Sequence, residues 1–126
     1  RRAEEILGLV QLVELSQEYA AHLSGGQKKL LELARVLMAD PDLVLLDEPG
    51  AGVNPTIMTR LVEAIQADNR RGRTFLVIEH DMDLVMTLSH HVIVMSQGRR
   101  LAEGPFEQIR KNDDVLEHYF GRVPSR

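Results

Sequence analysis

The sequence has no cysteine, which excludes disulfides and thiolate metal sites and fits a reducing compartment. It has no apolar run near the ~20 residues that a membrane-spanning helix needs, so no direct span is expected. No secretory signal is visible at its start, where the first residue is Arg1 rather than Met; we expect a processed chain or a piece of a longer one. Basic charge is not in excess. Fifteen Lys and Arg against 19 Asp and Glu leave a net charge of −4, so no general attraction to nucleic acid is expected. Internal repeats and low-complexity segments are absent.

What is present is the composition of one ordinary soluble globular domain: 126 residues, 44% apolar and 27% charged. Residues 1–20 read as one or two short helices, with a break at Gly8. Ser24-Gly25-Gly26 starts a helix to about Met38, whose buried stripe is Leu30, Leu33, Ala34 and Leu37. Asp40-Pro41 stops it. Leu43-Val44-Leu45-Leu46 has no polar alternation and reads as a strand buried on both faces. Asn54 and Pro55 cap the next helix, which carries Ile57, Leu61, Val62 and Ile65 and ends near Arg71-Gly72. Thr74 to Ile78 is a second buried strand. Asp81 caps a helix from Met82, Val92 to Met95 is a third strand, and Gln97-Gly98 turns it into a hairpin with Arg100 to Glu103. A helical tail follows Gly104-Pro105. The methionines at 82, 86 and 95 read as core filling. Strand and helix alternate, which predicts an α/β fold with a mainly parallel sheet and flanking helices.

Three places carry possible chemistry. Gly25 and Gly26 let backbone amides approach an anion at a helix N-terminus, with the Ser24 hydroxyl beside them. The competing reading is a plain helix start capped by Ser24. Asp47 and Glu48 end a buried strand, where open α/β sheets bind ligands. Asp47 suits Mg²⁺ and Glu48 suits a general base, against two merely solvated carboxylates. His80 ends another strand and could hold a phosphate and an attacking water, against a structural histidine. Glu79, His80 and Asp81 lack the spacing of a zinc site.

Together these residues resemble the C-terminal part of an ABC-transporter ATP-binding subunit, over nearly the whole chain. Leu23-Ser24-Gly25-Gly26-Gln27 matches the family signature motif, Leu43 to Glu48 the Walker B strand, Gly50 to Pro55 the D-loop and His80 the switch histidine. The resemblance implies ATP and Mg²⁺ as ligands. Ser24, Gly25, Gly26 and Gln27 would meet the γ-phosphate held by a second ATP-binding subunit. Asp47 would help hold Mg²⁺, directly or through water. Glu48 would activate water, and His80 would sense the γ-phosphate. Asn54, which the resemblance also implies as a cofactor-binding residue, stands where the D-loop usually has Asp, which weakens an acidic cross-dimer contact there. Gly52-Val53-Asn54-Pro55, Ile78 to Met82, Leu84 to Met86 and the ending Asn112 to Gly121 resemble the branched-chain amino-acid importers. Lipopolysaccharide-export ATPases share a similar ending.

No G-x-x-x-x-G-K-[ST] phosphate loop occurs, and the only lysines are Lys28, Lys29 and Lys111. The resemblance therefore implies a partial P-loop NTPase domain, incomplete without an N-terminal half and inactive alone. It divides into a signature-helix region (1–40), a Walker B to switch-histidine region (41–104) and a helical tail (105–126). The implied partners are the second ATP-binding subunit and membrane permeases, at the cytoplasmic face of the cell membrane. Missing strands would leave an apolar surface uncovered. The alternatives are a DNA-repair or chromosome-maintenance ATPase of the same superfamily and a non-catalytic interaction domain.

Overall fold

The computed structural model describes residues 1–120, so Gly121 of the family-like ending lies outside the described residues. The chain divides into two units, Arg1–His80 and the residues from Asp81 onward.

In the first unit, α1 (Arg2–Leu9) places Glu4 and Glu5 in its first turn, where carboxylates favour the helix dipole. Gly8 lies inside α1 rather than at its break. The chain turns at Gln11, whose φ is +58°, between buried Val10 and Leu12. Short 3-10 turns at Val13–Leu15 and Ala20–His22 lead to Ser24. α2 (Gly25–Met38) buries Leu30, Leu33, Ala34 and Leu37, the stripe its spacing predicts.

Asp40, at φ +55°, and Pro41 end the helix. Arg73 fastens this end by donating to Asp40 Oδ1 at 3.0 Å, to the Pro41 carbonyl and to buried Asp68. Arg2 adds an ion pair to Asp40 at 3.0 Å. The bonds from Arg73, and then from Arg2, hold the Asp40 carboxyl below its ordinary range, and the bond to Asp40 raises Arg73.

β1 (Leu43–Asp47) and β2 (Thr74–Ile78) pair in parallel, with Leu43 opposite Thr74 and Asp47 opposite Ile78. A parallel pair needs a crossover, and α3 (Pro55–Asn69) supplies it. α3 begins where Asn54 Oδ1 accepts from the Ile57 N–H at 2.9 Å, with Pro55 at its first position. Its buried Ile57, Leu61, Ala64 and Ile65 pack the helix against α1, α2 and β2.

The two strands are not covered on both faces. Val44 is buried, and Leu46, Phe75 and Val77 on its side are half-buried. On the other side Leu43, Leu45, Leu76 and Ile78 are 50%, 67%, 53% and 60% exposed. An unbroken apolar run shows that both faces are apolar, and the helices of residues 1–80 cover only one of them.

In the second unit, α4 (Met82–Leu88) starts at Asp81, whose Oδ1 accepts from Asp83 N–H at 3.0 Å and Leu84 N–H at 3.2 Å. β3 (Val92–Ser96) and β4 (Arg99–Gly104) form an antiparallel hairpin. Gln97 and Gly98 turn it, with φ of +49° and +74°, as a two-residue turn between right-twisted strands requires. Among the described residues β3 pairs with β4 alone, so the parallel sheet comprises β1 and β2 only. Val94, Ile109 and Val115 form the core with α5 (Phe106–Ile109) and α6 (Asp113–Phe120). The Tyr119 hydroxyl donates to the Met95 carbonyl at 3.0 Å. Met86 and Met95 do not fill the core; each is half-exposed. His91, bonded at 3.0 Å, and then Arg100 lower the Glu103 carboxyl.

Candidate functional site

Parallel register brings the carboxyl ends of β1 and β2 together. Asp47 lies opposite Ile78, and the Glu48 N–H donates to the Ile78 carbonyl at 2.9 Å. Glu48 then takes φ +45°, which turns the chain out of the strand. Its Oε1 stands 3.2 Å from His80 Nδ1, and both side chains are exposed. An ion pair this open contributes little to stability, so the fold does not depend on it.

Glu79 precedes His80, and sequence reasoning gave it no role of its own, weighing it for zinc and as part of the Ile78 to Met82 resemblance. Its side chain is 4% exposed. Oε1 accepts from the Gly50 N–H at 3.1 Å and Oε2 from the His80 N–H at 3.2 Å. The period of two along β2 carries the signal. Phe75 and Val77 take the covered face, and Glu79 continues that series.

At the start of α2 the cap reading is realised. Ser24 Oγ accepts from the Gln27 N–H at 3.2 Å, and Gln27 Oε1 accepts from the Ser24 N–H at 2.8 Å. The Ser24 hydroxyl hydrogen remains able to donate. The two glycines differ. A Cβ on Gly25 would meet nothing within 4 Å, whereas one on Gly26 would lie 2.6 Å from Ile57 Cγ1. Gly25 keeps the helix start open, and Gly26 admits α3. Asn54 is engaged as the α3 cap. Among the described residues, no hydrogen bond or ion pair joins Ser24–Gln27 to Glu48 or His80.

Asp47 is exposed. Among the described residues no three His, Cys, Asp or Glu side chains are grouped to hold a metal. Mg²⁺ commonly takes one or two protein carboxylates and draws its other ligands from phosphate and water, which Asp47 fits as a single ligand. A cleft of about 620 Å³ lies elsewhere in the sequence, lined by residues that include Arg2, Asp40, Asp68 and Arg73 and none of the candidate site residues.

The fold has known counterparts. Residues 1–51 match the family model described as ABC transporter. The ADP conformation of MJ1267, an ATP-binding cassette of an ABC transporter, superposes with TM-score 0.84 at 36% identity over 96% of this chain and 49% of that one. CbiO1 from Clostridium perfringens, part of the ABC transporter complex cbiONQ, gives 0.79 at 28% identity over 98% and 49%. The fold is therefore that of the C-terminal portion of an ABC ATPase domain.

In sequence the chain resembles the ATP-binding subunits of branched-chain amino-acid transporters. The probable branched-chain amino acid transport ATP-binding protein LivG of Archaeoglobus fulgidus is 42% identical over 98% of this chain and 48% of that protein. The high-affinity branched-chain amino acid transport ATP-binding protein BraF of Pseudomonas aeruginosa is 44% identical over 90% and 45%. The chain spans about half the length of these curated relatives. ATP binding, typically with Mg²⁺, is a property of their family. No helix among the described residues is long and apolar enough to cross a membrane.

Proposed function

We propose that this chain is the signature-helix, Walker B and switch-histidine portion of the ATP-binding subunit of a branched-chain amino-acid importer. The carrying observation is the Glu48–His80 pair, 3.2 Å apart at the ends of adjacent parallel strands. Glu48 is placed to accept a proton from an attacking water, and His80 to hold that water and the terminal phosphate. Ser24 and Gly25 are exposed at a capped helix start, which suits a phosphate presented by a second ATP-binding subunit. Bound Mg²⁺, with Asp47 as a protein ligand, supplies neutralisation of phosphate charge. Membrane permeases are the partners that such a subunit drives from the cytoplasmic side. The named relatives are transport proteins, which favours this reading over DNA repair.

The phosphate-gripping loop is not in these 126 residues, so the isolated chain neither binds ATP tightly nor hydrolyses it. The test is Glu48→Gln in the full-length polypeptide that carries this chain. ATP turnover should be lost while ATP binding persists. Turnover at the original rate would overturn the proposal.

A further inference from the structure

We propose that Glu79 is a positioning residue that holds Glu48 and His80 in register; this rests on the function proposed for that pair. A carboxylate removed from water is costly unless its oxygens are hydrogen-bonded. Glu79 is so removed, and each oxygen accepts one backbone N–H. One donor is Gly50, two residues beyond Glu48. The other is His80 itself. A single buried group thus clamps the backbone on both sides of the Glu48–His80 contact. Its bond to Gly50 joins two segments 29 positions apart, beyond the last rung of the strand ladder, and its bond to His80 is local.

The clamp has a reason to exist. Glu48 and His80 are both exposed, and nothing about an exposed ion pair fixes two flexible side chains at 3.2 Å. Their backbones must be fixed instead. The Glu48 N–H to Ile78 carbonyl bond holds one point, and Glu79 holds the next two. His80 Nδ1 also lies 4.0 Å from Glu79 Oε2, so the imidazole is near the same carboxylate.

The experiment compares Glu79→Ala and Glu79→Gln in the full-length polypeptide. Glu79→Gln keeps the side-chain size and one acceptor but turns an N–H₂ toward a backbone N–H, so it remains informative where the alanine variant folds poorly. Glu79→Ala should lower kcat roughly 10- to 100-fold, as misplaced catalytic groups do. KM for ATP and the number of nucleotides bound per subunit should not change. Glu79→Gln should fall between. In single-turnover assays on a background carrying both Glu48→Gln and His80→Ala, Glu79→Ala should remove no further activity, because it acts through that pair. In the full-length polypeptide, Glu79→Ala should speed amide exchange at Gly50 and His80. An unchanged kcat, bound nucleotide falling in step with kcat, further loss on the background lacking both Glu48 and His80, or unchanged exchange at Gly50 and His80 would each overturn the clamp. Full turnover by Glu48→Gln alone would overturn the functional reading instead, and amide exchange would still judge the clamp.

Discussion

Glu48 Oε1 and His80 Nδ1 meet at 3.2 Å although 31 residues separate them between β1 and β2. The contact follows from the parallel register, because Asp47 faces Ile78 and the residues after each emerge at one edge. His80→Ala in the full-length polypeptide should lower ATP turnover by about 10²- to 10⁴-fold, the range for loss of a group positioned on a transferring proton or its water. Steady-state phosphate release measures this, and nucleotide binding should persist.

Gly26→Ala should destabilise the first unit by about 1–3 kcal/mol, the usual cost of overpacking. The new methyl would lie 2.6 Å from Ile57 Cγ1. Gly25→Ala, with nothing within 4 Å, should be neutral or mildly stabilising. Urea unfolding midpoints separate the two. Ile57→Ala should make Gly26→Ala less harmful, which is a non-additive pair.

Acid should weaken the Asp40 tether in a defined window. The folded-state pKa of Asp40 lies below its ordinary value of 3.8, through hydrogen bonds from Arg73 and then Arg2. A depressed carboxylate stabilises fully above its unfolded pKa, and the contribution disappears as pH falls through the folded one. Asp40→Asn should therefore melt below the parent chain at pH 7. The gap should close as both are titrated down from about pH 4. A gap that persists in stronger acid would remove Asp40 as the cause.

The bare side of β1 and β2 should make the 126-residue chain adhesive. Leu43, Leu45, Leu76 and Ile78 form one exposed apolar face on two adjacent strands. The chain should bind a hydrophobic dye and self-associate on dilution-dependent light scattering. Leu45→Lys with Leu76→Thr should reduce both, leaving the helical signal in circular dichroism unchanged.

Local signals were legible in the sequence wherever a short-range rule governed them. The α2 stripe, the Ser24, Asn54 and Asp81 caps and the Gln97-Gly98 hairpin all follow from spacing and turn chemistry within a few residues. The Glu48–His80 contact needed strand register, which spacing alone does not set. Gly26 read in sequence as phosphate approach or a plain helix start, and its seat against Ile57 needed the tertiary structure. The exposure of Leu45 and Ile78 was beyond a local pattern, because apolar character reports what a face prefers and not what covers it. Met86 and Met95 misled for the same reason. Glu79 was hidden in plain alternation, one strand step past Val77.

The seating of Ile57 on Gly26 makes a stiff mechanical joint. Gly26 adds no side chain of its own, so the Ile57 side chain rests directly on the first-turn backbone of α2. A shift at the Asn54 end of α3 should therefore be felt at the Ser24 end of α2. Substitutions that shorten Ile57 should then loosen the contact between these two helix starts without touching either loop.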